Sequence, residues 1–289
     1  MPRESSPGFN PEKKEFGGNV SITLKIMRHG EREGLYLNDL GRQQTANLAE
    51  LQKTSPNKYD AVKAVGSPAD TDPKTHMGRA LETAHIYAQT LTDNNAFRTR
   101  PEELLNYKNL VSKRPYDHII LYNSYLPEDF KALSPEEKSE ASKVANRKVL
   151  EHLISLNDPD AVQYKKEVTG AYALLVEHYI KMAKRLKSGS NVLIPIGGHG
   201  SNMEFLLLEA AVKEGQAEHT TAFKNLNDLG GDFDPSEAYN IEVKTDTQGN
   251  TQPLKVTFDN PKRGHADIYL DNKKMEELVT FYKQLHPKP

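Results

Sequence analysis

Residues 22–30 read Ile-Thr-Leu-Lys-Ile-Met-Arg-His-Gly, and the fold is decided by how this stretch is understood. Alternating β-branched and long aliphatic residues describe a buried strand, and Gly30 supplies the tight turn by which the backbone leaves it. Arg28 and His29 therefore stand at the carboxyl end of a strand. In open α/β sheets ligands collect at that edge, and a neutral imidazole beside a guanidinium is suited to attack an anionic phosphoryl group. The tripeptide is short, so its meaning depends on what the rest of the chain supplies.

The chain continues with a polar loop and a helix capped by Asn38 or Asp39 and running to about Leu51, with Leu40, Gln44, Leu48 and Leu51 as its apolar face. Residues 60–67 form a second predicted strand, and 67–74 an inserted-looking loop. Arg79 opens a helix with Ala80, Ala84, Tyr87, Ala88 and Leu91 on one side. A short strand at 97–100 precedes Pro101-Glu102-Glu103, whose proline and acids suit a first helical turn. From about 107 to 190 the pattern is helical. Ser134-Pro135-Glu136-Glu137 is a capping box ahead of Ala141, Ala145, Val149 and Leu153, and Asn157-Asp158-Pro159 starts a stripe from Tyr164 to Leu186.

Residues 191–200, Asn-Val-Leu-Ile-Pro-Ile-Gly-Gly-His-Gly, repeat the opening theme of a strand ending in glycine and histidine, with Pro195 unfavourable to unbroken pairing. Residues 203–212 are apolar nearly all round and predict a buried helix. Residues 238–244 and 253–258 predict a hairpin at or near the sheet edge, and 273–285 a terminal helix. The expected fold is α/β: a three-layer sandwich with a mainly parallel central sheet, an antiparallel strand or hairpin at its edge, and a helical insertion. Residues 1–20 are expected to be a solvated arm, and 21–289 one domain with an insertion or lid at about 107–190.

Composition narrows the function. With 38 Lys plus Arg against 40 Asp plus Glu, the formal charge of -2 gives no basic field for nucleic acid or an anionic membrane, so any anion site is local. The absence of cysteine removes thiolate nucleophiles and Cys-ligated zinc. No run approaches the ~20 apolar residues of a membrane span, no signal-peptide core opens the chain, and a cytoplasmic location is expected.

Four segments share one order: Arg28-His29-Gly30, Leu40-Gly41-Arg42-Gln43, Arg79-Ala80-Leu81-Glu82-Thr83-Ala84 and Gly198-His199-Gly200. In that order they resemble the histidine phosphatase superfamily, the phosphoglycerate-mutase-like fold, over residues 22 to about 212. The resemblance implies a phosphohistidine mechanism with His29 as nucleophile and Arg28, Arg79 and His199 as the phosphate pocket. Arg32, where many relatives carry Ser or Thr, is either a third positive group of the pocket or a solvated residue. The leaving-group acid of the mutase branch falls on Glu103, with Glu102 close behind, and another register places Asn106 there. The aspartate of the histidine-acid branch is replaced by Gly200.

The chemistry agrees. Phosphoryl transfer spreads charge over three equatorial oxygens, which guanidinium forks and imidazole donors stabilise by position, and no metal or other cofactor is needed. The expected ligand is a small phosphorylated substrate or inorganic phosphate, and the expected activity a metal-independent phosphomonoesterase. A phosphoglycerate-type mutase and a non-catalytic phospho-ligand binding module are the alternatives. His76, His85, His118, His152, His178, His219, His265 and His286 lack metal-ligand spacing and are expected to be structural or exposed, and Lys113-Arg114 to be a solvated pair.

Overall fold

The structure is a computed structural model, describing residues 15–53, 59–93, 97–200, 202–215, 220–263 and 267–287. The elements in order are β1 (Ser21–Arg28), β2 (Arg32–Glu33), β3 (Tyr36–Leu37), α1 (Asp39–Lys53), β4 (Ala61–Gly66), α2 (Arg79–Leu91), β5 (Arg98–Pro101), α3 (His118–Ser124), α4 (Pro135–Ser155), α5 (Pro159–Ala183), β6 (Asn191–Gly198), α6 (Asn202–Ala210), β7 (Ala211–Lys213), β8 (Ala238–Lys244), β9 (Lys255–Phe258), β10 (Ile268–Leu270) and α7 (Asn272–Leu285). Among the described residues the strands form an eight-stranded sheet of order β5-β4-β6-β1-β8-β9-β10-β7 and a two-stranded ribbon β2-β3.

The strands that carry the motif residues are parallel: β5 with β4, β4 with β6, and β6 with β1. Beyond β1 the sheet turns antiparallel through β8, β9, β10 and β7, so the expected hairpin, β8–β9, continues into two further strands. Pro195 is accommodated as its missing N–H requires. The β4–β6 register pairs Val62 with Leu193 and resumes only at Val65 with Ile196, while on the other side Pro195 stays in register with Lys25.

Side-chain alternation along β1 sorts the two covering layers. Ile22, Leu24 and Ile26 point into the large core with α5, α6 and α7, whereas Met27 joins Leu193, Ala49 and Tyr87 beneath α1 and α2. Lys25 shares that second face. It is fully buried, its ammonium pairs with Asp259, and it lies 5.3 Å from the centre of the Tyr87 ring.

Several expectations need correction. The buried face of α1 is Gly41, Thr45 and Ala49, with Leu40 55% and Leu51 73% exposed. The reason is close approach: a Cβ on Gly30 would sit 2.6 Å from the Gly41 carbonyl oxygen, so small residues must face the loop after β1. The expected helix over 203–212 ends at Ala210 and yields to β7, whose backbone pairs with β10 at the far edge of the sheet. The expected arm 1–20 lies outside the described residues up to 14. Residues 15–20 are held against the 186–189 turn, where Gly17 donates to the Leu186 carbonyl and Ser188 to that of Glu15. Of the segment 107–190, α5 is a core layer packed on the sheet, while α3 and α4 lie over the carboxyl ends of β1 and β6. No helix among the described residues is long and apolar enough to cross a membrane.

Candidate active site

The parallel register of β1 and β6 assembles the site's centre. Arg28 is opposite Gly198, so the next residues, His29 and His199, leave the sheet side by side, with the His29 N–H donating to the Gly198 carbonyl at 3.1 Å. Their rings stand 5.6 Å apart at 65°. Gly200 is a glycine for a local reason: a Cβ there would meet the Arg28 Nε at 2.9 Å. Arg79, the first residue of α2, reaches the same place because that helix packs on the ends of β4 and β6.

Arg28, His29, Arg32, Arg79 and His199 line one cavity of about 490 Å³. The Arg28 Nη1 donates to Asp232 at 3.1 Å and to the Phe233 carbonyl. Arg79 donates to the Leu35 carbonyl at 3.1 Å and to Asp70 at 3.3 Å, and Arg32 to the Gly34 carbonyl at 2.6 Å. These contacts aim the guanidinium groups without exhausting them. Among the described residues the buried Nε of Arg28, the Nε of Arg79 and both ring nitrogens of His199 have no hydrogen-bond partner in the protein. Each such orphan costs about 1–3 kcal/mol, and three of the four, the two guanidinium Nε–H groups and the single N–H of a neutral His199, are donors that mark a place built for an oxyanion.

His29 is set up as a nucleophile. Its Nδ1 lies 2.9 Å from the Gly30 carbonyl, which can only accept, so Nδ1 carries the proton and Nε2 keeps its lone pair. Burial holds its pKa well below the usual imidazole range, reinforced by the charges of Arg79, His199 and Arg28. For His199, burial and then Arg79 push the value down to about 3.

These shifts predict a pH dependence of stability. In the unfolded chain both imidazoles titrate near ~6.5, so below that pH the unfolded state binds protons that the folded state refuses. Their contribution is full above about pH 6.5 and is lost as pH falls towards the depressed folded values. Glu204, raised by burial, acts in the opposite direction over part of the range. Thermal unfolding followed from pH 7 to pH 5 should show a falling midpoint, and His199→Asn a shallower fall. Equal slopes in the two proteins would contradict the assignment.

The acid position needs correction. Glu103 is exposed at the start of a 3₁₀ turn, with its carboxylate accepting from the side chains of Asn106 and Asn109 at 3.1 and 3.0 Å. Neither it nor Glu102 nor Asn106 is on the cavity wall. The Glu102 carboxylate instead caps that turn by accepting from the Leu104 N–H. The wall carries Asp70, Glu204 and Asp232. Asp70 comes from the inserted 67–74 loop. Burial alone would raise its pKa, but Tyr107 at 2.7 Å, Lys108 at 3.1 Å and Arg79 outweigh this and hold it ionised. Glu204, on α6, is fully buried. One oxygen accepts from the Phe233 N–H at 3.2 Å and the other has no partner among the described residues. Burial favours its protonated form.

Tyr107, Arg114, His118 and Tyr122 also face the cavity. Arg114 and His118 were expected to be a solvated loop residue and a structural or exposed histidine. The first lies close to the Tyr116 and Tyr164 rings, and the second is carried inward at the start of α3 by an Asp117 cap. His85 and His286 are structural, bonded to Thr99 and Glu167, and His219 and His265 lie outside the described residues. Arg42 and Glu82, from two of the recurring segments, bind each other at 2.9 Å and fasten α1 to α2 instead of entering the site.

No protein-family model matches the chain, and no curated protein matches its sequence. Solved structures similar to it include a mycobacterial glucosyl-3-phosphoglycerate phosphatase (14% identity, 84% of this chain and 100% of that one, TM-score 0.41). Others are the phytase from D. castellii (11%, 96% and 83%, TM-score 0.46) and a phosphoglycerate mutase from Plasmodium falciparum (15%, 86% and 94%, TM-score 0.35).

Proposed function

We propose that the chain is a phosphomonoesterase that works through a phosphohistidine on His29, without a metal. The observation that carries this reading is the convergence of three buried, unpartnered donors, the Nε–H groups of Arg28 and Arg79 and the one ring N–H of a neutral His199, around a neutral His29 whose Nε2 is free. A phosphate dianion held by those donors presents its phosphorus to Nε2. The P–N bond forms as the ester P–O bond breaks, and the arginines and His199 stabilise the charge on the equatorial oxygens. Glu204 is the wall carboxyl group whose protonated form burial favours, and it supports the departing alkoxide by giving up that proton. The Glu204 carboxylate then takes a proton from a water whose oxygen bonds to phosphorus as the P–N bond breaks, releasing inorganic phosphate and neutral His29 and restoring the protonated acid.

The test measures phosphate release from an aryl and an alkyl phosphate by the wild-type and Glu204→Gln proteins in the presence of a chelator, alongside isomerisation of 3-phosphoglycerate. Expected is chelator-insensitive release from both esters, a larger loss on the alkyl ester in Glu204→Gln, and slower isomerisation than hydrolysis. Isomerisation outrunning release would make the chain a mutase. Inertness towards both esters with phosphate still bound would make it a binding module. Equal losses on both esters would remove Glu204 as the acid.

A further inference from the structure

Charge is unevenly distributed over the cavity wall. Four guanidinium groups, Arg28, Arg32, Arg79 and Arg114, face it, and two of them are neutralised by carboxylates, Arg28 by Asp232 and Arg79 by Asp70. Lys108, which is not on the wall, also pairs with Asp70 at 3.1 Å and is left out of this balance. Arg32 and Arg114 have no carboxylate partner among the described residues, and Arg114 instead reaches the Tyr164 hydroxyl at 3.4 Å. The excess of two positive charges matches one phosphate dianion. An ionised Glu204 would only reduce it.

The rest of the wall is of a different kind. The α3 and α4 cover contributes Ile119, Tyr122, Val149 and Leu150, and Leu35 faces them from the β2–β3 turn. His118 stacks on Tyr122 at 17°, and burial with the Arg114 charge pushes it down to about 4, so this ring is neutral. Its buried Nδ1 has no partner among the described residues, and with Asn146 it offers hydrogen bonding without charge. At the mouth, Leu35 is 50% and Ile119 69% exposed, extending the apolar lining outward.

We propose that the substrate is a monophosphate ester of an uncharged, largely apolar alcohol, whose organic group lies between Leu35 and the Ile119–Tyr122 face while its phosphate occupies the arginine end. A second phosphate or a carboxylate on that group would add negative charge that the wall's excess of two, already balanced by the first phosphate, does not meet, and would lose its hydration against Leu35, Ile119, Val149 and Leu150. This inference rests on the phosphomonoesterase reading above.

The test compares kcat/KM for esters of similar alcohol leaving groups: benzyl phosphate, glycerol 3-phosphate, 3-phosphoglycerate and inositol hexakisphosphate, with p-nitrophenyl phosphate as the reporter of phosphatase activity itself. Benzyl phosphate should exceed 3-phosphoglycerate and inositol hexakisphosphate by about tenfold or more, chiefly through KM. Ile119→Arg, a change at an exposed position, should narrow that ratio by weakening benzyl phosphate and strengthening the anionic esters. The inhibition constant of inorganic phosphate, measured on both proteins, reports the arginine end separately. Equal or reversed preference with p-nitrophenyl phosphate still hydrolysed would overturn the substrate class alone. An unchanged ratio in Ile119→Arg would remove the proposed seat of the organic group. Inertness towards every ester would bring down the phosphatase reading and this inference together.

Discussion

His29→Ala should lose turnover by on the order of 10⁴-fold or more, with the fold and phosphate binding retained. The loss is large because no neighbouring group can replace the nucleophile. His199, the other imidazole at the centre, is held across the site at 5.6 Å between ring centres, and its one N–H is available as a donor to an anion. The fold should survive because His29 contributes one local hydrogen bond, to the Gly30 carbonyl, while β1 is secured by its full register with β6 and β8. Removing a buried imidazole beside three positive or polarised groups also relieves crowding, so inorganic phosphate should raise the unfolding midpoint of His29→Ala at least as much as that of the wild type. Turnover within tenfold of wild type would exclude His29 as the nucleophile.

Arg79→Ala is expected to reduce kcat/KM by about 10²–10³-fold, the usual loss on removing one donor from a charge-stabilising site. The change deletes the unpartnered Nε and unties Asp70, which keeps Tyr107 and Lys108 as partners and so remains anchored and ionised. That freed carboxylate then faces the incoming dianion without its guanidinium, so phosphate inhibition should weaken together with turnover. Arg79→Lys should recover only part of the loss, since an ammonium cannot supply the planar fork. Near-normal kinetics in Arg79→Ala, with weakened activity confined to Asp70 variants, would assign the role to the loop and not to the arginine.

How much of this was legible in the sequence depended on whether the signal was local. The strand ends at Arg28-His29-Gly30 and Gly198-His199-Gly200 could be read because a buried strand and a breaking glycine are encoded within a few residues. Their meeting followed once the strands were taken as parallel neighbours, and β1 and β6 pair with Arg28 opposite Gly198. Arg79 was readable from the start of a cleanly amphipathic helix. Glu103 misled because a first-turn acid after a proline looks the same whether it caps a turn or serves a pocket, and here it bonds its own neighbours, Asn106 and Asn109. Asp70, Glu204 and Asp232 carried no local pattern that set them apart. One sits in an irregular loop at φ +57°, one inside an apolar helix, and one in a glycine-rich connection, and they join the wall only through tertiary packing.

The face of α1 shows the same limit. Leu40 and Leu51 dominate a sequence-based reading by hydrophobicity, but the helix is positioned by Gly41 pressing on the loop that carries His29, and size outranks hydrophobicity at such a contact. The organisation of the chain was thus visible where chemistry and turn were adjacent in sequence. It was hidden where long-range packing selected among equivalent residues.

The phosphoryl group must pass through His29. The direct measurement is rapid alkaline quench of the protein during turnover of a phosphorus-labelled aryl phosphate, followed by peptide mapping under conditions that preserve phosphohistidine. Label on the peptide carrying His29, stable to alkali, lost in acid and absent from His29→Ala, is the predicted result. Rapid turnover with the label never found on His29, or found on another residue, would contradict it.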